Sequence, residues 1–298
     1  MIDSIEIKNF RSIENLKIEN LKNVNFFFGE TNSAKTSVLE ALHLFLKEDT
    51  STIKDISNNR SILLDDDIIE SLFPYYDFNN QTIRISNNNK NLEIVKSDDR
   101  KIQITCENRE ISDKENQSTL IGSFKLNDDF YKRIRQTLQD DELKTELNDY
   151  CRAFDDQIEG ISIIDRDIYV KILGYDRRIN LKSIGQGFIS YLSYITEILN
   201  RTEHICIDNL ETGLSFVHVD LILKIILEQS IQNDIQFFIT THSKELLEQL
   251  ARLLDRNAEF KDKSACFNLY REDNRVKVLE NKIDGFIINM ELGNEVRL

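Results

Sequence analysis

The spacing of apolar residues predicts a β-rich first third of the chain, interrupted by one helix. Residues 5–18 alternate as two short strands, and residues 24–28 form an almost continuous apolar run typical of a buried strand. Residues 38–47 then carry apolar side chains on most sides, which predicts a helix packed between other elements. Residues 82–105 give three more strands with polar turns, and the polar stretch 107–120 is predicted to be a loop.

The second half of the chain changes to an α/β rhythm. Residues 127–157 place apolar side chains at helical spacings among many charges, which predicts a short helical insertion, too brief for a long coiled-coil arm. A hairpin at 161–173 follows. Helices are then predicted at 188–199, 217–231, 246–254 and 284–292, with strands at 203–208 and 235–239 and a hairpin around 273–274. The predicted fold class is α/β, with a mixed or parallel sheet, an antiparallel β-subdomain and the helical insertion.

The loop between the third strand and the first helix has the spacing of a phosphate-binding loop. The pattern G-x-x-x-x-G-K-[ST] is met except that Ala34 stands at the second glycine. A loop of this kind aims backbone N–H groups and a helix N-terminus at phosphates, with Lys35 reaching the β- and γ-phosphates and Thr36 ligating Mg²⁺. If the Ala34 position needs a positive φ, alanine costs roughly 1–2 kcal/mol. The candidate ATP-binding residues here are Gly29, Glu30, Thr31, Asn32, Ser33, Ala34, Lys35, Thr36 and Ser37.

Three later segments carry side chains that suit a phosphate site. Residues 183–187 form a glycine-containing loop before a helix, which is a weak signal alone. Asp208 ends a buried strand, where it could hold Mg²⁺ or simply cap the following loop. Residues 240–243 end another buried strand with hydroxyls and a histidine. Because open α/β sheets bind ligands at the carboxyl ends of their strands, these segments are expected to meet at one edge.

Charge and composition narrow the class of partner. The 298 residues carry a net charge of −14, so autonomous nucleic-acid binding is disfavoured, although a local or dimer-assembled basic groove stays open as an alternative. No apolar run approaches the roughly 18 residues of a membrane helix, and the first residues do not resemble a signal peptide. The four cysteines lack a C-x-x-C pair, so reduced thiols are expected rather than disulfides or zinc. Cytoplasmic residence and a protein partner are therefore expected.

Taken in order with the opening segment 5–12, these motifs resemble the ABC-type ATPase head of the SMC/RecF/OLD (overcoming-lysogenization-defect) kind. The resemblance spans the chain and is weakest between 48 and 160. It implies one head over residues 1–298, with 127–157 as a short helical insertion. It also implies that residues 29–36 match Walker A, 183–187 the signature loop, Asp208 Walker B and His242 the switch histidine.

The resemblance further implies a homodimer in which each ATP lies between two heads. Lys35, Thr36, Asp208 and His242 would act within one subunit, with Mg²⁺ held by Thr36 and Asp208. The signature loop would act on the nucleotide of the other subunit, and Arg11 would approach the nucleotide as well. The signature-loop residues implied to contact ATP are Ser183, Gly185 and Gly187.

The sequence departs from the family pattern where water is normally activated. The family usually has glutamate directly after the Walker B aspartate, and this chain has Asn209. An amide can orient water but cannot accept its proton, and general-base catalysis typically contributes about 10²–10⁴-fold. Slow ATP hydrolysis is therefore expected, with Asn209, Glu211 and His242 as the catalytic candidates and Glu211 as the alternative base.

Three functional hypotheses follow from the motifs and their departures. The leading one is an ATP-binding, dimerising switch or scaffold with a weakened catalytic site, acting on a separately encoded effector such as a nuclease in anti-phage defence. The second is a fully active ATPase in DNA repair or recombination. The third is a pseudo-ATPase scaffold in which Ala34 prevents nucleotide binding.

Overall fold

The computed structural model describes residues 1–49, 51–60, 69–76, 81–96, 102–107, 118–122, 128–165 and 167–292. The strands are β1 (Ile5–Phe10), β2 (Ile13–Ile18), β3 (Val24–Phe28), β4 (Ile83–Ser86), β5 (Asn91–Lys96), β6 (Ile102–Glu107), β7 (Ser118–Ile121), β8 (Ile158–Ile164), β9 (Asp167–Ile172), β10 (Arg178–Asn180), β11 (His204–Ile207), β12 (Gln236–Thr240), β13 (Ser264–Glu272) and β14 (Arg275–Asn281). The helices are α1 (Lys35–Lys47), α2 (Ser51–Arg60), α3 (Asp128–Gln139), α4 (Asp141–Phe154), α5 (Gln186–Leu199), α6 (Phe216–Gln232), α7 (Lys244–Arg256), α8 (Ala258–Lys263) and α9 (Ile283–Glu291).

A mixed six-stranded sheet forms the centre of the protein, in the order β14-β13-β3-β12-β11-β7. All neighbours pair in parallel except β13 and β14, which form an antiparallel hairpin. The central strand β3 is buried along its whole length, as a parallel strand covered on both faces should be. Its Phe27 ring stacks on Phe267 of β13, with ring centroids 5.4 Å apart.

Two smaller antiparallel sheets flank the central one. The order β2-β1-β4-β5-β6 confirms the predicted antiparallel region, and α1 is packed in one apolar cluster with this sheet and the central sheet. The third sheet, in the order β10-β9-β8, belongs to a second cluster with α4, α5, α6 and α7. The helix α1 is therefore buried on nearly every side, which explains its apolar residues on most faces.

The prediction of a loop over residues 107–120 is wrong at both ends. Glu107 ends β6, and residues 118–121 form β7, which pairs in parallel with β11; residues 108–117 lie outside the described part of the chain. Four residues are too few for a recognisable period, and long-range pairing decides their conformation. The segment predicted to be helical contains α3 and α4. Across the described ranges, no helix combines the length and apolar character needed to cross a membrane.

Candidate functional site

Three parallel strands bring the predicted polar residues to one edge of the central sheet. Lys35 begins the helix that follows β3, and Asp208 and His242 lie in the loops that follow β11 and β12. The Thr36 hydroxyl lies 3.0 and 3.1 Å from the two carboxylate oxygens of Asp208. Thr240 at the end of β12 donates a hydrogen bond of 2.6 Å to the same carboxylate. The two residues predicted to share Mg²⁺ are therefore neighbours, and hydroxyl and carboxylate oxygens are ligands that suit this ion.

The Lys35 side chain is buried and folded back over its own loop. Its ammonium donates to the carbonyl oxygens of Gly29 and Glu30 at 2.8 Å each, and to the Ser33 hydroxyl at 3.1 Å. Burial lowers the pKa of Lys35 to about 8, although the carboxylate of Asp208 acts in the opposite direction. The nearby carboxylates do not fully offset the cost of burying the charged Lys35 ammonium. A bound anion beside it would stabilise the charged form.

The N-terminus of α1 has the features of an anion site. Within the described residues no side chain caps this helix, and its first turn contains no acidic residue. The first N–H groups of a helix have no partner within it, and its dipole favours negative charge there. Thr31 and Asn32 in the preceding loop are exposed, and Arg271 donates to the Asn32 carbonyl oxygen at 2.8 Å. The residues at this edge of the sheet fit a magnesium-bound phosphate chain.

Three positions in this loop have a positive φ, namely Gly29, Asn32 and Ala34, and asparagine tolerates this backbone region better than alanine does. Gly29 has φ 142°, and a Cβ atom there would lie 2.0 Å from the Leu269 carbonyl oxygen, so the position requires glycine. Ala34 has φ 71° and ψ 20°, the left-handed conformation that alanine adopts at a cost of roughly 1–2 kcal/mol. The loop therefore keeps the backbone of a phosphate-binding loop although its second glycine is replaced.

The segment after β11 orients two polar side chains with unused hydrogen-bonding capacity. Asn209 has φ 56°, and its backbone N–H donates to Thr240 Oγ1 at 2.8 Å, while its buried side-chain oxygen has no hydrogen-bond partner among the residues that the structure describes. Glu211 accepts the backbone N–H of His242 through Oε1 at 2.9 Å, and its Oε2 is buried with no partner in the described part of the chain. Burial and the charge of Lys35 lower the pKa of His242, so the imidazole is neutral at pH 7.

A buried ion-pair network lies behind the loop. Arg11 donates to Glu40 Oε2 at 2.6 Å, and Arg60 donates to Glu40 Oε1 at 2.5 Å. Burial lowers the pKa of Arg11. Burial also acts to lower the pKa of Arg60, but the negative charges of Glu40 and Asp208 outweigh this effect, so the pKa of Arg60 is raised. Arg11 also donates to Ser71 and is committed to this network, so its approach to a nucleotide stays a prediction.

The signature-loop residues form a separate, exposed group. Ser183 and Gly185 are exposed, and neither forms a side-chain hydrogen bond with the loop 29–36 among the described residues. Gly187 is partly buried, and a Cβ atom there would lie 2.2 Å from the carbonyl oxygen of Gly213. This glycine therefore permits the start of α5 to pack on the segment after β11, and any contact of Ser183, Gly185 or Gly187 with ATP stays a prediction.

Comparison with known families agrees with this geometry. A family model described as an AAA ATPase domain matches residues 1–172, more than half of the chain. The chain belongs to the AAA ATPase domain family. This AAA ATPase is 24% identical to the ATP/GTP phosphatase of Helicobacter pylori over 93% of this chain and 94% of that protein.

Solved structures show the fold of this AAA ATPase to be that of ABC-type heads. The SMC head domain bound to the C-terminal domain of ScpA, derived from Pyrococcus furiosus, superposes with a TM-score of 0.62 at 12% identity, covering 100% of this chain and 99% of that one. The recombination mediator protein RecF in the RecFOR pathway, as RecF-ATPrS, superposes with a TM-score of 0.52 at 13% identity, covering 94% and 98%. The predicted resemblance to SMC and RecF heads is confirmed at the level of fold.

Sequence reasoning missed Glu40 and Arg60 of the AAA ATPase site. Glu40 is the single acidic residue in the predicted helix 38–47, which is expected to be packed on most sides. Its position in the sequence therefore indicates a buried carboxylate. A buried carboxylate needs a cationic partner, so the pattern could have indicated an arginine nearby. It could not have indicated which one, because Arg11 and Arg60 come from separate elements of the fold.

Replacing Ala34 by glycine should stabilise this AAA ATPase by about 1 kcal/mol. Glycine removes the roughly 1–2 kcal/mol of left-handed strain, offset by about 0.4–1 kcal/mol of added unfolded-state entropy. Chemical denaturation measures the change. The control is Ala41→Gly in the middle of α1, where the backbone is helical and the side chain is buried, so the same substitution should destabilise by about 1 kcal/mol through helix propensity and by about 0.8 kcal/mol more through the lost buried methyl group. Equal effects at both positions would contradict the strain at Ala34.

Nucleotide affinity should fall as pH rises through 8. The pKa of Lys35 is about 8 in the free protein, and nearby phosphate charge would raise it, so binding above pH 8 requires proton uptake. The dissociation constant should increase about tenfold per pH unit between pH 8.5 and 10, as measured by calorimetry. Lys35→Arg keeps its charge throughout this range and should remove the slope. An unchanged affinity of the native protein from pH 7 to 9.5 would contradict the prediction.

Proposed function

We propose that this chain is a Mg·ATP-binding head that dimerises around nucleotide and hydrolyses it slowly. One observation carries the proposal: the Thr36 hydroxyl lies within 3.1 Å of both Asp208 carboxylate oxygens, beside the buried Lys35 ammonium and the uncapped N-terminus of α1. These groups combine a candidate cation site with a candidate phosphate site. Bound Mg²⁺ would neutralise phosphate charge, while Lys35 and the α1 amides hold the phosphates in place.

Asn209 is the reason we propose slow hydrolysis. It occupies the position where ABC-type heads have their water-activating glutamate, and its buried side-chain oxygen has no partner within the described ranges. That oxygen can accept a hydrogen bond from water and orient it. An amide does not take up the proton that the attacking water must lose, so the residue positions water without general-base catalysis.

A second candidate function is a fully active ATPase that uses Glu211. The Oε2 oxygen of this carboxylate favours it, because the His242 backbone fixes Oε1 whereas Oε2 bonds to no residue that the structure describes. The relative from H. pylori, named an ATP/GTP phosphatase, also supports hydrolysis. If Glu211 is the base, Glu211→Gln should abolish turnover while Asn209→Ala leaves it largely intact. The reverse pattern, or no effect of either, would exclude this candidate.

We propose that the second head supplies the signature loop to each nucleotide. Ser183 and Gly185 are exposed, as a surface that closes on another subunit must be. In this arrangement Arg11 supports the loop behind the phosphates through Glu40. The ATP-dependent dimer would act as a switch or scaffold for a separately encoded protein, such as a nuclease, in the cytoplasm, with anti-phage defence as the leading role. DNA repair or recombination is the alternative role, and the fold of RecF supports it.

Thermal denaturation with and without Mg·ATP tests nucleotide binding, and a coupled assay tests turnover. A ligand at about 1,000 times its dissociation constant stabilises the folded state by about 4 kcal/mol, so a clear rise in Tm is expected. Lys35→Met should lose this rise. No Tm change at saturating Mg·ATP would favour the non-binding scaffold. Turnover of the order of 1 s⁻¹ or more, a typical enzyme rate, would contradict the slow switch and favour the active ATPase.

A further inference from the structure

The strand β10 leaves one edge of a small sheet open. It lies at the end of the order β10-β9-β8 and pairs with β9, through Arg178 with Lys171, Ile179 with Val170 and Asn180 with Tyr169. Along the described part of the chain, no strand covers its other edge. An exposed edge presents unpaired backbone N–H and C=O groups, to which an extended segment of another chain can add as a new strand.

Apolar side chains are exposed on β10 and on the turn that precedes it. The exposed fractions are 57% for Leu173, 68% for Tyr175 and 40% for Ile179. Single exposed apolar residues are common on protein surfaces, but three within seven positions beside an open edge form a local patch. We refer to residues 173–180 as the edge patch. Such a patch favours a polypeptide, because strand addition uses the backbone for affinity and alternate side chains for specificity.

The edge patch is positively charged in an acidic protein. Residues 173–180 contain the basic residues Arg177 and Arg178 and the acidic residue Asp176, and Lys171 and Lys182 flank them, whereas the whole chain has a net charge of −14. Lys171 and Lys182 pair with Glu159 and Asp167. Arg177 and Arg178 are exposed, and neither forms an ion pair with any residue that the structure describes. Two arginines without carboxylate partners are complementary to an acidic ligand.

We propose that the edge patch docks an extended, acidic segment of a partner protein, which adds to β10 as a fourth strand. Its backbone pairs with the free edge of β10, and a carboxylate pairs with Arg178. An apolar side chain contacts Ile179 and Tyr175. A nucleic acid is the less suitable ligand, because its sugar-phosphate backbone cannot form the hydrogen bonds of a β-ladder. Its phosphates also require more clustered cations than two arginines.

The edge patch leads directly into the predicted signature loop. Asn180 ends β10 and accepts the Lys182 backbone N–H at 3.0 Å, capping the turn that contains Ser183. A strand added to β10 would hold Asn180 and this turn in place. Any effect of the bound segment on nucleotide turnover rests on the proposed function, whereas the docking itself does not.

Fluorescence anisotropy with a labelled synthetic peptide tests the proposal. The probe is a nonapeptide of alternating glutamate and valine, which has the acidic and apolar pattern of the proposed segment. We expect saturable binding at 0.15 M salt and at least about tenfold weaker binding to the double variant Arg177→Glu with Arg178→Glu, because like charges then face each other. Arg256→Glu is the matched control, since Arg256 is exposed on α7 and its replacement should leave binding unchanged. Tyr175→Ala, which keeps both arginines, should weaken binding independently.

Two further probes separate the alternatives. The same peptide with proline at every valine position keeps the charge but cannot donate those backbone hydrogen bonds, so its binding should be lost. Equal binding of the proline peptide, equal binding to the double arginine variant, or tighter binding of single-stranded oligo-dT would each overturn the proposal. Retention of the Mg·ATP thermal shift in the double variant shows that the head is folded and keeps failure of docking distinct from failure of nucleotide binding.

Discussion

Asn209→Glu should raise the rate of ATP turnover by between about 10² and 10⁴-fold. The substitution places a carboxylate after Asp208, where it can accept the proton of the attacking water. Asn209 has φ 56°, so glutamate there carries roughly 1–2 kcal/mol of backbone strain that asparagine tolerates. We therefore expect a lower Tm together with a higher turnover rate, measured with a coupled phosphate-release assay.

Asn209→Gln is the matched control for this prediction. Glutamine has the length and backbone strain of glutamate but no proton-accepting carboxylate, so its turnover should remain at the native level. Asn209→Asp introduces the charge on a shorter side chain and should give an intermediate gain. If Asn209→Glu and Asn209→Gln turn over at the same rate, water activation at this position does not limit hydrolysis, and Glu211 becomes the residue to test.

Glu40→Ala should destabilise the protein by about 3 kcal/mol. Glu40 is fully buried between Arg11 and Arg60, and its removal leaves two guanidinium groups without a carboxylate. Breaking a buried pair typically costs about 3–5 kcal/mol because a charge stays uncompensated, and partial exposure of Arg60 favours the lower value. The shift in chemical denaturation measures this change.

Glu93→Ala is the matched control for the buried network. Glu93 pairs with Arg84 at 2.7 Å, a similar distance to the buried pairs, but both side chains are solvent-accessible. Exposed pairs contribute about 0–1 kcal/mol, so the control should change little. Replacing Arg11, Glu40 and Arg60 together by methionine should restore most of the lost stability, since no unpaired charge remains. A triple variant as unstable as Glu40→Ala would show that packing, not charge, explains the loss.

Helices and strands with a strong apolar pattern could be predicted from sequence, but the residues at which they begin and end could not. Apolar spacing predicts α7 at 246–254, and the helix runs from Lys244 to Arg256, because two polar residues at each end extend it beyond the apolar run. Ser243 caps this helix by accepting the Leu246 N–H at 3.1 Å, a contact that apolar spacing does not indicate. The strand β7 was missed for a related reason, since its conformation depends on pairing with β11.

The sequence indicates which residues belong to the candidate site, but it does not indicate the hydrogen bonds between their loops. Strand ends in a parallel sheet meet at one edge, so Lys35, Asp208 and His242 could be expected near one another. Ala34 replaces a glycine of the loop pattern, so a left-handed backbone was possible at this position from sequence. The structure shows that backbone, with φ 71°. Nothing in the sequence indicated that Glu211 would bond the His242 backbone, because that contact depends on how two separate loops fold over the sheet.

The central position of β3 has a consequence for biosynthesis. Its neighbours β12 and β13 are far along the chain, and Asn25 of β3 donates a hydrogen bond to Phe237, 212 positions away. Most of the polypeptide must therefore be synthesised and leave the ribosome before β3 can pair with β12 or β13. Until then its aromatic side chains and both backbone edges are open to aggregation or chaperone capture. A fragment ending at residue 172, where the family match ends, would lack both neighbours and should not fold as an independent unit.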